Sequence, residues 1–160
     1  MTEIVIRPFR EDDAPWLVEQ HGTLYAQNDG FDASFERLVA QIVDAFLSDH
    51  DPRREKGWIA ERDGARLGSI FCVSQDEETA KLRLFLLVPE ARGQGLGKRL
   101  LTTCTEFARA SGYRSMVLWT HESHRAACAL YRSFGWQLQD SKPVHSFGVD
   151  LVEQSWKFQL

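Results

Sequence analysis

The stretch Val88-Pro89-Glu90-Ala91-Arg92-Gly93-Gln94-Gly95-Leu96-Gly97-Lys98 carries the most specific chemistry in the chain. A strand pattern ends at Val88 and an amphipathic helical pattern starts at Gly95, so the glycines fall in a strand–turn–helix junction. Three glycines at alternate positions remove side chains where main chain would have to approach a ligand closely. Free N–H groups at a helix start point outward and favour anions, and Arg92 and Lys98 add positive charge. That is the chemistry of a phosphate or pyrophosphate site. A Walker A loop needs Ser or Thr after its Gly-Lys pair, but Arg99 follows Lys98. A dinucleotide fingerprint needs Gly-x-Gly-x-x-Gly after the first strand of a βαβ unit; here the spacing is Gly93-x-Gly95-x-Gly97 and the loop lies mid-chain.

The remaining pattern is Arg-x-x-Gly-x-Gly, with Arg92, Gly95 and Gly97. It resembles the pyrophosphate loop of the GCN5-related N-acetyltransferase (GNAT) superfamily, which binds acetyl-CoA. A second stretch, His124-Arg125-Ala126-Ala127-Cys128-Ala129-Leu130-Tyr131 closing with Gly135-Trp136, resembles the later motif Asn-x-x-Ala-x-x-Leu-Tyr…Gly-Phe of the same superfamily. His124 stands where that motif has Asn, and Trp136 where it has Phe. Shorter stretches resemble a narrower subgroup, the acetyltransferase domain fused behind MarR-type regulators in bacteria. They are His21 to Ala26, Trp58 to Glu61, Leu118 to Thr120, and His145 to Gly148 with Asp150 to Val152. The chain begins at the first acetyltransferase strand, so no DNA-binding domain is expected.

The resemblance implies a site. Two adjacent strands, ending near Val88 and Trp119, would splay apart and admit the pantetheine arm like an added strand. Leu87, Val88, Arg92, Gly93, Gln94, Gly95, Leu96, Gly97, Lys98, His124 and Tyr131 would hold the coenzyme, and the Leu87 backbone N–H would face the thioester carbonyl as an oxyanion donor. Tyr131 would be the general acid for the leaving thiolate, its hydroxyl being protonated at neutral pH. An alkyl ammonium must also lose a proton. Glu19, His21, Glu122 and His145 are candidate bases, as is a water relay.

On the acceptor side the expected residues are Tyr25, Arg83, Trp119 and His145, with the Asn28-Asp29-Gly30 break expected to touch substrate and the His145-Ser146-Phe147-Gly148 loop expected to line the pocket. Strand alternation puts Lys81, Arg83, Phe85 and Leu87 on one face, and an inward charge needs a partner. Arg83 is therefore either half of an internal ion pair or an anchor for an acceptor carboxylate. His121-Glu122-Ser123-His124 spaces its histidines three apart across a strand–helix junction, which departs from the four-residue spacing of a helical zinc motif; no metal is expected.

The elements that must position these residues follow from periodicity and breakers. Ile4 to Phe9 alternate within Met1 to Arg10, which reads as a strand. A helix capped by Asp12 or Asp13 carries Trp16, Leu17, Leu24 and Tyr25 and breaks at Asn28-Asp29-Gly30. A second helix carries Phe35, Leu38, Val39, Ile42 and Phe46. Strands at Trp58 to Glu61 and Arg66 to Val73 flank the Asp63-Gly64 hairpin signal. A strand at Thr79 to Val88, a helix from Gly95 to Ala110, a short strand at Met116 to Trp119 and a helix from His124 to Phe134 follow. Two strands, about Trp136 to Gln139 and Leu151 to Phe158, close the chain. The order β-α-α-β-β-β-α-β-α-β-β reads as an α/β (α+β) GNAT fold. Its central sheet would be mixed, mainly antiparallel and about seven-stranded, with helices on both faces.

Composition bounds the rest. The 160 residues make one domain, residues 1–160, and 43% apolar content supports an ordered core. Nineteen basic against 23 acidic residues give a charge of −4, which argues against a nucleic-acid footprint. Three cysteines, Cys72, Cys104 and Cys128, suit a reducing cytoplasm better than a disulfide framework. No signal peptide or membrane-spanning run is expected. The expectation is a cytoplasmic N-acetyltransferase acting on a small primary amine, with an amino acid among the candidate acceptors and acetyl-CoA as donor; a homodimer is compatible with the sequence. The alternatives are a non-catalytic acyl-CoA-binding sensor and a protein acetyltransferase.

Overall fold

The computed structural model describes residues 3–160. Met1 and Thr2, included in the expected first strand, lie outside the described residues. The chain runs β1 (Val5–Pro8), a 3-10 turn (Glu11–Asp13), α1 (Ala14–Asp29), α2 (Ala33–Asp49), β2 (Lys56–Arg62), β3 (Ala65–Ser74) and β4 (Thr79–Leu87). A second 3-10 turn (Pro89–Ala91) leads to α3 (Leu96–Ala110), β5 (Ser115–His121), α4 (Arg125–Phe134), β6 (Gln137–Ser146) and β7 (Val149–Gln159). The seven strands form one sheet in the order β1-β2-β3-β4-β5-β7-β6, antiparallel except for β4 and β5. This is the expected mixed architecture.

Both sheet faces are covered. On β3, Ile70 and Cys72 pack with Leu100, Leu101 and Cys104 of α3, while Phe71 between them packs with Val39, Val43 and Phe46 of α2. A strand buried on two faces loses polar alternation and reads as a continuous apolar run. The opposite holds for β6, which extends to Ser146 rather than stopping near Gln139. It is an edge strand and mostly exposed, so it shows no apolar alternation, and Pro143 is tolerated because an edge position needs no donor on its open side. The three cysteines are free and buried.

Asp13, a candidate helix cap, makes no capping bond to α1. Its fully buried carboxylate instead accepts from both Arg7 Nη atoms (2.8 and 2.9 Å), from Arg66 Nε (2.8 Å) and from the Arg10 main chain (2.8 Å). These donors hold its carboxyl well below the ordinary carboxylate range, against the opposing effect of burial. Removing one partner of a buried pair strands the other, so Asp13→Ala should destabilise the fold by about 3–5 kcal/mol in denaturant unfolding at pH 7. A carboxyl with a lowered folded-state pKa contributes fully above its unfolded value. The difference between wild type and variant should therefore shrink only as the pH falls below about 4.

Two irregularities in β4 shape the site. The first is a bulge: the β3–β4 register shifts between Ser69 and Phe71, and Leu84 takes φ 50°, with its carbonyl accepting from Ser69 Oγ at 2.6 Å. A bulge adds one residue and reverses the alternation beyond it. Arg83 pairs with Phe71, whose side chain packs under α2. Phe85 and Leu87 instead lie near Gly97, on the α3–α4 side. The single face expected for Lys81, Arg83, Phe85 and Leu87 is thus divided into two.

The second irregularity is the splay. Parallel pairing of β4 with β5 stops at Lys81–Val117, although the strands run on to Leu87 and His121. Val88 N donates to Leu67 O at 2.9 Å, so the next pair in register, Gly68–Leu87, is a non-hydrogen-bonded one. The Leu87 N–H therefore points away from β3, into the gap.

Candidate active site

A cleft of about 620 Å³ follows this gap, lined by α1, the end of β4, the glycine loop and the start of α4. Gly93 and Gly95 both hold φ 76°, a left-handed conformation that side chains disfavour, and a Cβ at either would meet nothing within 4 Å. The first intrahelical bond of α3 runs from Arg99 N to Gly95 O at 3.2 Å, leaving the N–H groups of Leu96, Gly97 and Lys98 without helical partners. Gly97 serves packing: a Cβ there would lie 3.1 Å from Leu130 and 3.4 Å from Leu87. Open space, unpaired amides, Arg92 and Lys98 together fit a diphosphate-bearing group.

The structure brings Leu87, Arg92, Gly93, Gly95, Gly97, Lys98 and His124 to this cleft. The side chains of Val88 and Leu96 are in the core, and that of Gln94 is exposed, bonding Glu90 O and Arg62; these three have only main chain to offer. Tyr131 opens not on the cleft but on the adjoining pocket.

That pocket, about 250 Å³, lies beyond the splay under α2 and shares Tyr25, Phe85 and His124 with the cleft. Tyr131 is buried, and its hydroxyl has no bonding partner among the described residues; burial, reinforced by Tyr25, Cys128 and Cys104, pushes its pKa well up. Tyr25 stacks on Phe35, with 4.5 Å between ring centroids, and burial and Asp29 push it up to about 12 against the opposing Arg92. Lys81 and Arg83 both line the pocket. Neither makes an ion pair among the described residues; burial lowers the pKa of both, and Arg83 further lowers that of Lys81. Lys81 Nζ sits 4.7 Å from the centroid of the half-exposed Trp119 ring. The internal ion pair expected as one option for Arg83 is not formed among the described residues.

His145 does not join the site: it is exposed on β6 and bonded to Asp150 at 2.8 Å. The expected His145-Ser146-Phe147-Gly148 loop reaches the pocket through Phe147 alone, because it and Gly148 take positive φ in the β6–β7 turn and fold its ring onto Phe31 and Phe35. Glu19 and Glu122 are exposed and off the pocket, whereas His21 and His121 line it. Sequence reasoning weighed His121 only as a metal ligand. Asp29, in the break expected to touch substrate, lines the cleft; it accepts from His124 Nε2 and Ser123 Oγ, each at 3.0 Å, and so ties the end of α1 to the start of α4, a link no local pattern marks. The break itself is the left-handed cap at Gly30.

The splayed sheet, the glycine cradle and the two joined cavities define a GNAT-type acyltransferase architecture. Residues 9–136 match the Acetyltransferase (GNAT) family, and the chain belongs to that family. It is 35% identical over 104 residues to N-acetyltransferase 8 of Rattus norvegicus, covering 62% of this chain and 46% of that protein. The chain spans about half the length of the curated relatives it matches. Among solved structures, a ribosomal-protein-alanine N-acetyltransferase from Brucella melitensis superposes with TM-score 0.79 at 20% identity, covering 98% of this chain and 99% of that one. A GNAT family acetyltransferase from Elizabethkingia anophelis with acetyl-CoA bound superposes with TM-score 0.69 at 18% identity, covering 98% of each. At these identities the superpositions describe the fold. No helix among the described residues is long and apolar enough to cross a membrane.

Proposed function

We propose that the protein transfers the acetyl group of acetyl-CoA directly to the primary amine of a small molecule that carries a carboxylate. The observation that carries this reading is the junction of the two cavities, where the Leu87 N–H faces the gap beside a pocket holding two cations without an ion-pair partner among the described residues. When bound, the coenzyme supplies an activated acetyl carbonyl. The loop amides after Arg92, with Arg92 and Lys98, grip its diphosphate. Leu87 N–H donates to the carbonyl oxygen as negative charge develops there. Tyr131, kept protonated by burial, holds the proton that the departing sulfur takes. Arg83 anchors the acceptor carboxylate, and Tyr25 and Trp119 wall the pocket.

His124, in place of the family's Asn, has its ring fixed by Asp29 and reaches the same junction. The pocket beneath α2 and Phe147 favours a small acceptor over a protein segment, and Tyr131 favours an enzyme over a sensor. Free buried cysteines favour a cytoplasmic home. The narrower kinship with MarR-fused acetyltransferase domains rests on the short sequence matches alone.

The test is free-thiol release from acetyl-CoA across amines with and without a carboxylate, alongside calorimetry with coenzyme A. Coenzyme binding without amine-dependent thiol release would favour the sensor, and no binding would end the reading. Tyr131→Phe should lower kcat roughly tenfold to a hundredfold with unchanged acetyl-CoA affinity. The effect sits at the low end for general acid catalysis because a thiolate, with a reference pKa of about 8.5, leaves without much help.

A further inference from the structure

We infer that His121, which lines the acceptor pocket, takes the proton of the acceptor amine through Nε2, its accessible ring nitrogen. The inference rests on the transferase reading above. Among the residues near the pocket, His124 already has partners on both nitrogens, Asp29 Oδ2 at 3.0 Å and Thr120 Oγ1 at 3.4 Å. His21 is 2% exposed, with Nδ1 on Leu17 O and Nε2 sealed in. His121 differs from both. It ends β5, directly across the splay from β4, and lines the pocket. Its Nδ1 is buried without a partner, while Nε2 is neither buried nor hydrogen-bonded to a described residue.

The charges facing this ring suit a transient proton. His124 stands 5.4 Å away, ring to ring, at the start of α4, and Asp29 lies behind it at the end of α1. Glu153 is its cross-strand partner on β7 and lines the same pocket, as do Lys81 and Arg83 on β4. Burial, with His124, holds the ring's pKa down at about 4 against the opposing Asp29, so the ring is neutral and able to accept at pH 7. Asp29 and Glu153 then face the imidazolium once it forms.

The step balances. The acceptor ammonium first loses one proton to solvent, which the cations Lys81 and Arg83 promote. The neutral nitrogen bonds to the acetyl carbon and the carbon–sulfur bond breaks. The nitrogen's surplus proton, now far more acidic than in the free ammonium, passes to His121, and the sulfur takes the Tyr131 proton. His121 then releases its proton to solvent past Glu153, and Tyr131 is reprotonated from solvent.

The test uses the full chain with an acceptor that the wild type turns over. His121→Gln and His121→Ala should each lower kcat by about a hundredfold or more, with acetyl-CoA binding unchanged by calorimetry. Added imidazole should restore part of the alanine variant's rate. Histidine NMR of the wild type should show the His121 ring neutral until the pH nears 4. Wild-type kcat in either variant, or a loss that imidazole does not rescue, overturns the assignment and leaves the transferase reading intact. No thiol release by the wild type with any amine overturns both.

Discussion

Gly95→Val should weaken acetyl-CoA binding by roughly 5- to 150-fold, measured by calorimetry, while circular dichroism stays unchanged. Gly95 caps α3 at φ 76°, where a β-branched residue is strained by about 1–3 kcal/mol. The valine loop relaxes to another conformation, and the amides that follow it turn away from the cleft. Binding must then restore the strained form, and that strain is the lost affinity. Nothing lies within 4 Å of a Cβ at this position, so the effect is not a clash inside the free protein. Gly95→Asn should be milder, since asparagine tolerates the left-handed region. Equal coenzyme affinity in wild type and Gly95→Val would remove the phosphate grip from this loop.

Arg83→Met should lower kcat/KM for a carboxylate-bearing acceptor by roughly 30- to 150-fold, equivalent to about 2–3 kcal/mol for a charge-assisted bond in a partly dry pocket. Acetyl-CoA affinity should not change, because Arg83 lines the acceptor pocket and not the coenzyme cleft. A decarboxylated analogue of the same amine should be used equally by both proteins. Thermal unfolding supplies an independent check. Arg83 is half-buried with no counter-ion among the described residues, so methionine should hold or raise the melting temperature. A residue whose removal harms turnover and spares the fold is there for the ligand. Unaltered acceptor kinetics would take the carboxylate out of the proposed substrate.

What was legible in the sequence was local. The Gly93-Gln94-Gly95 turn, the helix behind it and the Asp63-Gly64 hairpin depend on dihedral preferences and on periodicities of two and 3.6 residues. The element order needed nothing more, and with it came the expected seven-stranded sheet. Where burial failed to leave a pattern, the reading shortened: exposed β6 has no apolar alternation to mark its far half.

The pocket proposed for the acceptor was decided by tertiary structure. One extra residue at Leu84 turns Lys81 and Arg83 to the α2 side and Phe85 to the other, and a simple alternation cannot register such a bulge. His124 meets Asp29 only because α1 packs beside α4, and of the loop from His145 to Gly148 it is Phe147 that reaches the pocket because a tight turn aims it inward. Whether Arg83 had a carboxylate partner was likewise a question about neighbours distant in sequence. Local chemistry placed the glycine turn; three-dimensional packing decided which charges are left without a partner among the described residues.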